Sequence, residues 1–269
     1  MRRTEPAVPG AGAFDADWVV PDWPAPPSVR ALCTTRAGGV STGAYDSLNL
    51  GDHVGDLSAS VATNRRLLRE AAGARPVFLG QVHGAELVQL TGDTPDGVLA
   101  DACVADERGV ACTVMVADCL PVLLCDRDGT RVAAAHAGWR GLAGGVLERS
   151  CESFGPPAPV ERAQGPIELI AWLGPCIGPS AFEVGPEVKA SFEAHAPEAA
   201  ACFRPGAQPG KWLADLPGLA RQRLRALGVA QVHGNDGSDA WCTVRNPSRF
   251  FSFRRDGICG RFAALVWRV

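Results

Sequence analysis

The sequence predicts an α+β fold, a single domain of mixed β-sheets with helices packed against them. Strand-length apolar runs and helical stripes intermingle along the chain without the regular alternation of a βαβ protein. A strong turn signal, Asp128-Gly129, separates two of the apolar runs. With 269 residues and 46% hydrophobic content, the chain can fill one full core.

The elements follow in order. Residues 1–27 are rich in Pro, Ala and Gly and lack periodicity, so a loose arm is expected there, with the domain proper over 28–269. Over 58–72, Val61, Leu68 and Ala72 share one side of a helix, and Gly73 provides its C-terminal stop. Strands are expected at 77–83 and at 110–117, the latter a continuous, β-branched apolar run of strand length. Residues 121–125 and 130–136 flank Asp128-Gly129 as the two arms of a hairpin. Trp139, Leu142, Ala143, Val146 and Leu147 then fall at the spacing of an amphipathic helix. Gly138, Gly141, Gly144 and Gly145 weaken that helix by roughly 1 kcal/mol each relative to alanine, which points either to close approach of the backbone to something or to tight helix–sheet packing. Beyond a surface loop at 155–166, helices are expected near 185–195 and 214–227. Further strands are expected at 167–173, 229–233, 249–254 and 260–268.

Bulk properties exclude several function classes. The net charge of −3 gives no basic field, so nucleic acid is not an expected partner. Ten cysteines are scattered without a CxxC pair, the pattern of reduced thiols. The N-terminus lacks an apolar signal core, and no apolar run reaches the eighteen or so residues of a membrane span. A cytoplasmic protein without membrane attachment is the expectation.

Three side chains stand out for chemistry. His83, in Gln81-Val82-His83-Gly84, Cys119, in Ala117-Asp118-Cys119-Leu120-Pro121, and His136, in Ala135-His136-Ala137-Gly138-Trp139-Arg140-Gly141, read together as a metal site. Two imidazoles and a thiolate suit zinc, and three protein ligands leave the open fourth position of a catalytic site. The expected hairpin brings Cys119 and His136 to one open end. Asp118 is positioned to orient a ligand from behind. His53 reads as a turn cap or an additional acid/base, and His195 and His233 read as surface residues.

The chain resembles, in order and in context, the laccase-domain family of multifunctional purine nucleoside enzymes, also called polyphenol oxidases and peptidoglycan editing factors. The resemblance rests on the three blocks above and on 34–41, 47–51, 53–56, Asn64-Arg65, 173–179, 182–185, Cys242-Thr243 and 250–257. Phe253 departs from it where tyrosine is common, and Cys259 where threonine is usual. The resemblance implies a single catalytic domain at 28–269, with zinc held by His83, Cys119 and His136. It also implies phosphorolysis of adenosine, inosine and methylthioadenosine, and deamination of adenosine. Phosphorolysis requires a phosphate held against the ribose, and Arg36 and Arg140 are the candidates for that role, with Asn49 as a nucleoside contact. The first turn after Gly138, beside Arg140, is a second place for the anion.

Other readings stay open. Copper can occupy a His₂Cys set, and Met115 is the one methionine besides the initiator that can serve as an axial ligand. Cys119 with His136 as its base would instead make a hydrolase, one acting on peptidoglycan precursors by the family's third name. A partner-binding module leaves the polar triad unexplained. The H-x-E motif of the cytidine-type deaminases is absent, so the proton relay has no assigned residue.

Overall fold

The computed structural model describes residues 17–155 and 168–269. In chain order, strand β1 (Val29–Cys33) and helix α1 (Ser58–Ala72) come first. Strands β2 (Arg75–Phe78), β3 (Leu87–Gln89), β4 (Ala102–Ala105) and β5 (Val110–Val116) follow. The hairpin of β6 (Leu120–Asp126) and β7 (Val132–Ala137) runs into two short helices, α2 (Trp139–Ala143) and α3 (Val146–Glu152). Next are β8 (Leu169–Leu173), β9 (Glu183–Val184), α4 (Pro186–Glu193), β10 (Phe203–Pro205), β11 (Trp212–Ala214) and α5 (Leu216–Ala226). Last come β12 (Gln231–Gly234), the single turn α6 (Phe253–Asp256) and β13 (Phe262–Arg268).

Two mixed sheets form the centre, one ordered β1-β13-β5-β2 and the other β12-β8-β6-β7-β4-β3, and a small antiparallel sheet, β10-β11-β9, lies beside them. Because strand side chains alternate between faces, each central strand divides its residues between two cores. Val110, Cys112, Val114 and Val116 of β5 meet Leu123, Cys125, Val132 and Ala134 of the hairpin between the two large sheets. Ala111 and Met115 turn the other way, toward Leu68 of α1. Val122, Leu124, Ala133 and Ala135 point to the opposite side, where α3, α4 and α5 cover them. The result is four layers: helix, sheet, sheet, helices. Burial on both faces explains why these strands read as unbroken apolar runs.

The mixed α/β single domain is as expected, and so are most elements. Helix α1 ends where predicted, with Gly73 at φ 61° and its N–H donating to the Arg69 carbonyl. Asp215 caps α5 by accepting from the Gly218 N–H at 2.9 Å. Leu120 pairs with Ala137 and Pro121 with His136, so the hairpin does close as the turn signal required. All ten cysteines are unpaired. Among the described residues no helix is long and apolar enough to cross a membrane.

Four expectations are corrected. The loose arm does not extend to residue 27: Val19 exchanges two 2.8 Å backbone hydrogen bonds with Cys33, and Trp18 and Trp23 pack on the cores. Residues 1–16, and all of the 155–166 loop beyond Gly155, lie outside the described residues. No strand forms at 249–254; Phe250 and Phe251 are buried from a loop, and Ser252 caps α6 instead. The strand expected over 77–83 ends at Phe78, which frees the chain to turn toward the site. The helix expected after Gly138 breaks in two at Gly145, whose φ of 95° favours glycine.

Leu123 is fully buried between the large sheets. Leu123→Ala is expected to lower stability by about 2–5 kcal/mol, measured as a fall in the denaturant midpoint without a change in slope.

Candidate metal centre

Three different parts of the fold bring the ligand atoms of His83, Cys119 and His136 within 4.8 Å of one another. His136 is the buried penultimate residue of β7, Cys119 immediately precedes β6, and His83 lies on the crossover that leaves β2. The two imidazoles meet edge to face, their centroids 4.8 Å apart at 74°. Donor atoms around a tetrahedral zinc stand about 3.5 Å apart given its usual bond lengths, so small side-chain rotations bring this set onto an ion. Nitrogen, nitrogen and sulfur donors, with room on the cavity side, fit a borderline-soft divalent metal.

Asp101, which sequence reasoning missed, organises the cluster. Its buried carboxylate receives a 2.8 Å hydrogen bond from His136 Nδ1, leaving Nε2 for the cluster. It also accepts the backbone N–H groups of Val82, His83 and Gly84. The His136 N–H donates to the Asp101 carbonyl at 2.7 Å. One residue thus fixes a ring and the loop that carries a second ring, the outer-shell pattern of metal-bound histidines. Burial alone would raise the Asp101 pKa, but the bonds from His136, Gly84 and Val82 outweigh it and hold it below the usual carboxylate range.

The same competition sets the other charges. Burial opposes ionisation of Cys119, yet His136 and His83 lower its pKa below that of a free thiol. Burial likewise disfavours protonated His136, while Cys119 and Asp101 together raise its pKa above that of a free imidazole. The thiolate that a metal requires is therefore favoured by the folded chain itself.

The local backbone is built for this approach. Among the described residues, His83 (φ 62°) and Asp118 (φ 95°) are the non-glycine residues with positive φ. One belongs to the His₂Cys cluster and the other adjoins its cysteine, the kind of strain that gathers at functional sites. Gln81 anchors the crossover by clasping both backbone groups of Met115, at 2.7 and 2.8 Å. Asp118 accepts from Thr243 Oγ1 and the Arg254 N–H, tying the C-terminal loops to the Cys119 turn. A Cβ on Gly138 would stand 2.9 Å from Cys119 Sγ, and one on Gly141 would stand 2.6 Å from the Gly84 carbonyl. Of the two readings of these glycines, close approach applies at both.

The cluster opens into a cavity of about 460 Å³. Phe182 and Phe253 on its wall are aromatic, and Arg140, Arg254 and Arg261 are cationic. His53 also lines it, well exposed and 3.5 Å from Asp52. Arg140 is exposed on the cavity wall and stacks over Trp139, but α2 is one turn long and carries little dipole. Arg254, within the 250–257 block, and Arg261, outside the quoted blocks, had no assigned role, and only the folded chain brings them to the cavity.

Two expected contacts are corrected. Arg36 does not line the cavity: its Nε donates to the Asp46 carbonyl, Nη1 to that of Pro247, and its face covers Phe251. It pins two loops. Asn49 is fully buried and spends its side chain on Gly51, Asp56 and the Arg261 N–H. His233 also differs from the surface residue expected, since its Nε2 is shut from solvent without a partner. His195 is exposed as expected.

A layered α/β domain with a His₂Cys cluster at the base of a cavity defines a candidate metalloenzyme. The chain belongs to the family described as multi-copper polyphenol oxidoreductase laccase, whose model matches residues 30–269. It is 54% identical over 251 residues to the purine nucleoside phosphorylase PA4543 of Pseudomonas aeruginosa, covering 93% of this chain and 98% of that one. It is 48% identical to the purine nucleoside phosphorylase YfiH of Escherichia coli, with coverage of 93% and 98%. The solved structure of Neisseria meningitidis NMB0706 superposes with a TM-score of 0.83 at 50% identity, over 94% of this chain and 99% of that one. All five histidines of the chain are among the described residues, and only His83 and His136 converge with a cysteine.

Asp101→Asn keeps the volume but turns an acceptor into a donor against backbone N–H groups. Metal affinity is expected to fall about 10–100-fold, read by competition with a calibrated chelator. A variant binding as tightly as the parent would show that Asp101 does not orient the cluster.

Proposed function

We propose that the chain is a zinc-dependent purine nucleoside phosphorylase that also deaminates adenosine, with inosine and methylthioadenosine as further substrates. The observation that carries this reading is the convergence of a His₂Cys cluster with a cationic, aromatic-walled cavity of about 460 Å³, a size suited to a small ligand. The phosphorylase names of relatives at 54% and 48% identity supply the substrate class.

The roles follow from side-chain chemistry. Phe253, exposed on the wall with Arg261 on one side of its ring, offers an aromatic surface for a purine, while Phe182 is buried beneath Arg254. Arg140 presents its guanidinium to the cavity, and Arg254 does so while one Nη1 donor goes to the Glu183 carbonyl; both suit a phosphate dianion, whereas Arg36 lies outside the cavity lining. Zinc held by His83, Cys119 and His136 would supply Lewis-acid character at the open position. Cys119 would bind such an ion as the thiolate its surroundings favour, and His136 would bind it through Nε2 while Asp101 holds its Nδ1. Asp118 keeps its carboxylate on Thr243 and the Arg254 backbone, so it serves as a brace. His53, on the wall and outside the ligand set, is the side chain available to carry a proton to or from the purine.

A second reading rests on one observation. The lowered Cys119 and raised His136 pKa values are those of a thiolate–imidazolium nucleophile pair. Copper in place of zinc is the remaining variant, and Met115 does line the cavity.

Metal analysis of protein purified without added metal separates these. About one zinc per chain is expected, lost in both His83→Ala and Cys119→Ser together with phosphate-dependent release of free base from inosine. Full metal retention in both variants would sink the assignment. Activity lost only in Cys119→Ser, with no metal in the parent, would establish the nucleophile instead.

Arg140→Ala and Arg254→Ala are expected to raise the apparent KM for phosphate about tenfold or more, with less effect on adenosine deamination, which binds no free phosphate. Equal loss of both reactions would make the two arginines general substrate contacts.

A further inference from the structure

A second cavity, of about 290 Å³, lies between helix α1 and strand β2 and shares no lining residue with the metal-centre cavity. Ala62, Arg65, Arg66 and Arg69 form its helical wall, and Arg75 and Phe78 form its strand wall. The helical spacing places the four α1 residues on one face. Four guanidinium groups and a single carboxylate, Asp96, line a small space in a chain whose net charge is −3.

The charges are not internally neutralised. Arg65 is matched by Asp52 at 3.1 Å and Asp96 at 3.7 Å, and Arg66 by Glu70 at 2.8 Å. Arg75 spends donors on the Thr91 and Thr94 carbonyls, which hold the guanidinium without cancelling its charge. Among the described residues the Arg69 side chain has no hydrogen bond or ion pair, and it is exposed. Arg69 and Arg75 thus have no carboxylate partner, and the four guanidinium groups outnumber the three carboxylates paired with them, Asp52, Asp96 and Glu70, by one, while Arg65 lies over the Phe78 ring at 4.1 Å and fixes the floor. Arginine forks held in this way suit phosphate oxygens.

We propose that this cavity binds a small phosphate-bearing anion, separately from the substrate cavity. A path also exists between the two: Asp52 pairs with Arg65 at one cavity, and its neighbour His53 lines the other. An anion on Arg65 competes with Asp52 for the same guanidinium.

Pyrophosphate and ribose 5-phosphate are the probes, titrated calorimetrically into the full chain at matched ionic strength. Arg66 and Arg69 are exposed on α1, so Arg66→Gln/Arg69→Gln removes charge without opening the core. That variant is expected to weaken binding of at least one probe about tenfold or more. Arg204→Gln/Arg225→Gln, an equal loss of exposed charge elsewhere, is expected to leave it within about twofold. Hydrogen exchange should slow over 62–78 when the probe is bound. Tight binding of pyrophosphate alone would identify a bare polyphosphate, and tighter binding of ribose 5-phosphate would identify an organic phosphate. The proposal is overturned if both double variants bind alike, if protection appears only around residues 136–140 and 253–261, or if neither probe binds at millimolar concentration.

Discussion

A buried carboxylate is expensive to desolvate unless its oxygens are saturated, and Asp101 is the place where this protein meets that constraint. Four donors converge on its two oxygens, three from consecutive backbone groups and one from an imidazole. Charge-assisted bonds of this kind contribute about 1.5–3 kcal/mol each, enough to offset burial only when all are present. The crossover loop, the left-handed His83 and the orientation of His136 are therefore one cooperative unit. The ligand cluster takes its shape before any metal arrives.

Much of the architecture was legible because burial leaves a direct trace in sequence. The hairpin of β6 and β7 followed from two apolar runs around Asp128-Gly129, and it carried Cys119 and His136 to one end as its geometry required. The helix at 58–72 followed from a stripe and a terminal glycine. What failed was the inference from hydrophobicity to strand at 249–254. Phe250 and Phe251 are apolar because they are buried, and burial does not require a ladder of hydrogen bonds.

The site was legible in its ligands and not in their supports. His83, Cys119 and His136 sit in distinctive peptides. Asp101 sits between two alanines with no local signal, and its partners lie 17 to 35 residues away. Arg36 and Asn49 were misread for a related reason. An arginine near a Gly-Gly pair and a lone asparagine look like ligand contacts in sequence, and only the folded chain shows Arg36 Nε and Nη1 donating to the carbonyls of Asp46 and Pro247 and the Asn49 amide donating to Gly51 and Asp56. Arg254 and Arg261 reach the cavity from the far end of the chain, a proximity no spacing rule encodes.

The crossover bearing His83 joins the two large sheets, with Gln81 fastened to β5 in one and Asp101 at the entrance to β4 in the other. Cys119, immediately before β6, and His136, within β7, are carried by the second sheet. An ion held by all three side chains would therefore span the seam of the sandwich and act as a rivet between its halves. Leu123 and Val114 pack in the same seam, so the rate at which such an ion escapes would become a gauge of how firmly the two sheets are pressed together.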